Sequence, residues 1–192
     1  LSLLQMIQIS DSLFPIGAFT LNNVLETMVL QEKLTTKEDL DRYVKNYMKL
    51  LPFNNLGIMM LAWQRADDPD FLRQLDEVSM AVKTPREVRE GTVKLCRRFL
   101  KLWKQLREYE SLAWYQEEVK EGRCIGDHSI AVGLYAREIG LEQELAGAVY
   151  VYNLITSIVT NAVKTVPLSQ IAGQQILNQA LEQVEECVSK AK

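Results

Sequence analysis

From Leu145 to Val163 the chain carries no charged residue: LAGAVYVYNLITSIVTNAV runs for about the length that spans a bilayer. This stretch constrains the fold more than any other, because an apolar helix of that length belongs either in lipid or inside a bundle. Asn153, Thr156, Ser157, Thr160 and Asn161 recur through it, too often for a lipid-facing surface. It reads as a helix from about Glu142 to Lys164, buried in protein on most sides, with Pro167 as its stop. Tyr150 and Tyr152 fall on different faces of that helix, so at most one of them is expected to be deeply buried.

The rest of the chain supplies helices to bury it. Leu1 to Ile9 is a short apolar helix ending before Ser10, and Thr20 caps a second from Leu21 to about Gln31. TTKED forms a capping box, Thr36 with Asp39, ahead of Leu40, Tyr43, Val44, Tyr47, Met48 and Leu51 on one face; Pro52 stops that helix. Asn54 or Asn55 caps Leu56 to Ala66. In DDPD, Asp68 is the cap and Pro69 the first helical residue; KTPRE repeats the device with Thr84, Pro85 and Glu87. A long helix follows, then one from Ser111 to Glu121 ended by Gly122. Asp127 caps His128 to Ile139, and Gly140 ends it. After the apolar helix, Ser169 caps a last helix running to about Ser189. No segment alternates with a period of two between hairpin turns. The fold class is therefore all-α: a single domain over residues 1–192, a helical bundle of about eight to ten helices.

The 192 residues suffice for one core. A formal net charge of −3, with both signs spread along the chain, points to neither nucleic acid nor an anionic membrane as partner. Three widely spaced cysteines, Cys96, Cys124 and Cys187, fit a reducing cytoplasm better than a disulfide framework. The apolar start lacks the basic flank and cleavage pattern of a signal peptide, and without an initial Met a few residues are expected to precede it.

Catalytic chemistry is sparse. The single histidine, His128, stands in CIGDH, where Cys124, Asp127 and His128 are metal-ligand types without a second cluster to complete a shell. No nucleophile motif, phosphate loop, dinucleotide loop or paired-carboxylate signature occurs. No catalytic residue, cofactor or metal ligand is assigned. The alternative reading is an all-α enzyme or small-ligand binder using a pocket beside His128, Asp127 and tyrosines. EVREGTVKLCRRFLKLWKQLRE gives the long helix a charged face, solvated or used for docking.

Two segments stay unexplained by packing alone: SDSLFPIGAF, residues 10–19, and KTVPLSQIAGQ, residues 164–174. Both set Pro and Gly beside apolar bulk and uncharged polar groups, a pattern for tight corners or partner patches. In the first, Ser10 and Asp11 are expected to bind neighbouring amides, Pro15 and Gly17 to shape the turn, and Phe14 and Phe19 to divide between core and partner surface. In the second, Lys164 and Gln170 are the expected exposed functional side chains.

These segments resemble the urease accessory protein UreF family. Ser10, Asp11, Ser12, Phe14, Pro15, Gly17, Phe19, Leu25 and Glu26 match its opening motif. Tyr150, Tyr152, Asn153, Ala162, Val163, Lys164, Pro167, Leu168, Gln170, Gly173 and Gln174 match its closing one, and His128, Gly133 and Gly140 a segment between. The chain departs at Thr20, Leu21, Asn22 and Val24, where the family has a His-containing stretch ending in Gly. It also departs at Cys96 and Ser169, where Gly is usual, and the basic, aromatic tail that members often carry falls outside residues 1–192.

The resemblance implies an all-α, homodimeric, cytoplasmic protein that binds the accessory protein UreD (also called UreH). Through that complex it would bind the GTPase UreG, dock on apo-urease and help deliver nickel, as scaffold and modulator of the GTPase rather than as catalyst. On it, Ser10, Asp11, Phe14, Pro15, Gly17, Phe19, Glu26, Lys164, Pro167, Gln170 and Gln174 are the expected partner-binding or motif-forming residues. A dedicated nickel-binding protein is a weaker reading.

Overall fold

The three-to-four spacing of apolar residues winds the chain into helices throughout. The computed structural model describes residues 1–11, 13–17 and 23–192. In order these form α1 (Ser2–Ser10), α2 (Asn23–Leu30), α3 (Lys37–Leu50), a 3-10 turn (Leu51–Phe53), α4 (Asn55–Gln64), α5 (Pro69–Ala81) and α6 (Arg86–Leu106). They continue with α7 (Glu110–Lys120), α8 (His128–Glu138), α9 (Gln143–Thr165), α10 (Gln170–Leu181) and α11 (Val184–Lys190). No strand occurs among the described residues. The expected Thr20 cap, the helix start at Leu21 and the place of Phe19 lie outside them.

Most of the helix ends follow from local chemistry. Thr36 and Asp39 close both halves of the capping box. Asp68 accepts from the Phe71 amide with Pro69 at the first position, Asp127 accepts from Ser129, and Ser169 from Ala172. Two expectations are corrected. Thr84 does not cap α6: the helix starts a residue later, behind Pro85, and the Arg89 guanidinium donates to the Lys83 and Thr84 carbonyls. The last helix is two, broken at Glu182 and Gln183. The break returns Val184, Cys187 and Val188 to the interior, against α9 and the 3-10 turn.

The bundle is built around α8 and α9. Every residue of α8 from Ser129 to Ala136 is buried, because α4, α6, α7 and α9 surround it. Its closest neighbour is α4: Gly133 lies against the Met59 carbonyl and the Ala62 side chain, a spacing that leaves no room for a Cβ. α9, the long uncharged helix, is a core helix packed by α1, α2, α3, α4, α8, α10 and α11. Tyr150 is buried and Tyr152 faces outward, as their spacing predicts. An aromatic cluster joins α6 to α8, with Trp103 stacked on Tyr135 at 4.5 Å and Phe99 edge-on to the same ring.

Replacing Gly133 with Ala sets a helix-propensity gain of about 1 kcal/mol against overpacking of about 1–3 kcal/mol or more, where the obstacle is backbone and cannot yield. Urea unfolding should show Gly133→Ala to be a net destabilisation. Gly147→Ala should be neutral or stabilising by up to about 1 kcal/mol, because its new methyl meets only side-chain atoms at ordinary contact distance.

Candidate functional site

The opening segment is a corner that alternates between core and solvent. Asp11 Oδ1 accepts from the Leu13 amide at 2.7 Å, the expected side-chain cap. Ser10 is a correction: its hydroxyl donates to the Met6 carbonyl at 3.1 Å, inside the last turn of α1, instead of accepting from an amide. The Ile16 amide donates to the Phe14 carbonyl at 2.8 Å, a tight turn with Pro15 at its centre, and Gly17 follows at φ +77°. Phe14 points inward, 6.0 Å between ring centroids from both Phe99 and Trp103, and Ile16 is buried beside it. Leu13 and Pro15 point out, Leu13 with 88% of its surface exposed. Phe14 is therefore a core residue. Glu26 lies exposed in the first turn of α2, next to the buried Leu25.

The closing segment repeats the device. The Leu168 amide donates to the Val166 carbonyl at 2.6 Å around Pro167. Val166 is buried, Leu168 is half-buried and Pro167 is exposed. Lys164 is exposed in the last turn of α9, and Gln170 and Gln174 lie exposed one turn apart on α10. The two glutamines share the rim of a shallow depression with Ile171 and Lys37, whose ammonium donates to Gln175. Lys164 does not line that depression.

A third place gathers His128 and two residues of the closing motif, Tyr150 and Asn153. They line a cavity of about 240 Å³ whose other walls include Tyr43 and Tyr47 of α3 and Thr92 of α6. Tyr150 and Ser129 share a hydroxyl–hydroxyl hydrogen bond at 3.0 Å. The His128 amide donates to Thr92 Oγ1, and its ring stands edge-on to Phe99 at 5.5 Å. His128 Nε2 is shielded from solvent and has no hydrogen-bond partner among the described residues. Burial pulls the imidazole down to a pKa of about 4, partly opposed by the Asp127 charge, so the ring is neutral at pH 7.

The sequence reading missed the polar frame that holds this region. Asp76, buried on α5, accepts from the Tyr115 hydroxyl at 2.5 Å and from the amides of Ile125 and Gly126 at 2.6 and 3.0 Å. The Asp127 amide donates to Tyr115 at 2.8 Å, and its buried carboxylate takes Lys83 at 2.5 Å as well as the Ser129 amide. Glu118 is held by Arg73 at 2.7 Å and Arg123 at 2.9 Å, and those hydrogen bonds lower its pKa to about 2. One signal was readable: Asp76 and Ser79 lie on the apolar face of α5 with Leu72 and Leu75.

Both Asp127 oxygens are occupied, and burial pushes the Cys124 thiol up to about 12. Among the described residues no three His, Cys, Asp or Glu side chains converge in a metal-binding group.

The UreF family profile matches residues 34–181, which includes the cavity and the closing motif. The chain belongs to the UreF family. The urease accessory protein UreF of Actinobacillus pleuropneumoniae (serotype 5b, strain L20) is 35% identical over 175 residues, covering 90% of this chain and 77% of that protein. That of Haemophilus influenzae (strain PittGG) is 33% identical over 175 residues, 90% and 74% of the two chains. That of Streptococcus salivarius (strain 57.I) is 30% identical over 185 residues, 95% and 78%. These relatives are urease accessory proteins, and in this chain His128 packs its neutral ring edge-on against Phe99.

Because the folded state holds His128 neutral down to about pH 4 while an unfolded histidine protonates near pH 6.5, the unfolded chain binds the extra proton between those values. Stability contributed by this group is complete above about pH 6.5 and falls as the pH drops toward 4. Urea unfolding measured across that window should show the slope in the natural chain and a reduced slope in His128→Gln.

Proposed function

We propose that this chain is a non-catalytic scaffold of urease maturation that works as a homodimer in the cytoplasm, bridges UreD/UreH to the GTPase UreG, and modulates GTPase-coupled nickel delivery to apo-urease. The observation that carries the reading is the outward apolar row at the opening motif. Leu3, Leu4 and Ile7 of α1 face solvent, and Leu13, just beyond the helix, is exposed as well. An apolar face displayed beside a rigid turn suits a protein partner. The Pro167 corner, with Lys164 before it and Gln170 and Gln174 after it, offers a second exposed surface of polar, hydrogen-bonding character.

The test is size-exclusion chromatography with light scattering on the protein alone and with UreD/UreH of the same organism. A dimer alone and a co-eluting complex are the expected results; a monomer that ignores UreD/UreH sinks the proposal. Leu4→Asp with Leu13→Asp should weaken the complex about tenfold or more, with an unchanged thermal midpoint because both side chains are exposed. Lys164→Glu should weaken assembly likewise. Phe14 is unsuited to such mapping, since its removal opens the aromatic core.

A second reading, a small-ligand binder at the His128 cavity, rests on the unpartnered Nε2. His128→Ala separates the two, because a scaffold keeps its UreD/UreH affinity in that variant.

A further inference from the structure

Both signs of charge are spread along the chain, but the second half of α6 carries one sign only. From Lys94 to Arg107, α6 and the residue after it carry Lys94, Arg97, Arg98, Lys101, Lys104 and Arg107 without a single acid between them. All six are exposed, and none is in an ion pair among the described residues. Arg98 donates to the Ile16 carbonyl and Arg107 stacks on Tyr109. Elsewhere on the surface, Arg42, Lys45, Arg65, Arg86 and Lys190 each meet an acid three or four residues away.

Lys94, Arg97, Lys101 and Lys104 follow one another at three- and four-residue steps and form one row on the helix. Like charges at those steps repel and weaken the helix that carries them. The helix dipole favours cations in the last turn only, which accounts for Lys104 and leaves Lys94 and Arg97 unexplained. A row of this kind on a chain of net charge −3 is an anion-seeking surface.

The row also borders two recesses with apolar floors. Between α5 and α6 the floor is Met80, Ala81, Val93 and Ile125; between α6 and α7 it is Leu100 and Val119. Arg97 lines both, so they meet along the row. The acids at their rims are Glu77, Glu90 and Glu117, of which Glu90 is neutralised by Arg86 and Glu117 by Lys120. From Val93 to Lys104 the helix axis advances about 16 Å, the length of about three helical turns. Neither recess has an aromatic wall on which a base could stack. A recessed apolar floor likewise suits an inserted side chain better than a flat lipid surface.

The geometry points to a docking groove along α6 for an acidic amphipathic helix of a partner protein, its carboxylates on Lys94, Arg97, Lys101 and Lys104 and its aliphatic side chains on Val93, Leu100 and Ile125. This surface goes beyond the urease-maturation proposal, for it uses neither the α1 row nor the Pro167 corner.

The probe is a fluorescein-labelled, stapled helical peptide of about fourteen residues with Glu along one stripe and Leu along the next, compared with its scramble by fluorescence anisotropy. The ordered peptide should bind the full chain more tightly than the scramble. Arg97→Glu with Lys101→Glu should weaken it about tenfold or more without lowering the thermal midpoint, since both residues are exposed and already repelled. Ile125→Ser should weaken it about threefold or more, through the floor alone. Equal binding of peptide and scramble, or no response to either variant, overturns the proposal. So does tighter binding of oligouridylate RNA or of phosphatidylserine vesicles than of the peptide.

Discussion

The Asp76 carboxylate is the interaction on which the interior depends. The loop from α7 to α8 dives into the protein, and its amides leave water as it does so. Asp76 accepts two of them and anchors Tyr115, and the Glu118 backbone carbonyl accepts from the Arg123 and Cys124 amides. With the loop held, Asp127 arrives where its carboxylate caps α8 and meets Lys83. A buried carboxylate is costly unless its oxygens are hydrogen-bonded, and both carboxylates in this chain of contacts are. Only then can α8 run through the centre with every residue from Ser129 to Ala136 buried.

That central helix distributes the surfaces. α4 approaches it at Gly133, α6 meets it through the aromatic cluster, and α9 lies against it with Tyr150 bonded to Ser129. The two proline corners then hang from the same frame. At each, a short amide-to-carbonyl bond across the proline turns neighbouring apolar residues inward and leaves the proline outside. Family membership and geometry meet here: UreF motif residues are partly interior struts, as Phe14 and Tyr150 are, and partly display, as Lys164, Gln170 and Gln174 are.

The legible features were the local ones. Thr36, Asp68, Asp127 and Ser169 cap the helices they were expected to cap, since a side-chain oxygen and an amide two or three residues away need nothing from the rest of the fold. At Thr84 the structure differs: α6 starts behind Pro85, Arg89 donates to the Lys83 and Thr84 carbonyls, and the Lys83 side chain runs to Asp127. The break at Gln183 was equally hidden, because the pull that makes it comes from α9 and the 3-10 turn. The Ser10 hydroxyl donates to the carbonyl four residues back, a partner that the last turn of α1 supplies.

The sequence by itself determined the all-α class, most helix limits and the kinship with UreF, because periodicity, caps and motif order are written in neighbouring residues. The tertiary structure alone decided what those residues face. It sent Phe14 inward and Leu13 outward, joined His128, Tyr150 and Asn153 around one cavity, and converted Asp76 into a loop anchor. It also left the cations from Lys94 to Arg107 outside the ion pairs found among the described residues. Burial and pairing are properties of distant residues brought together, and no local pattern contains them.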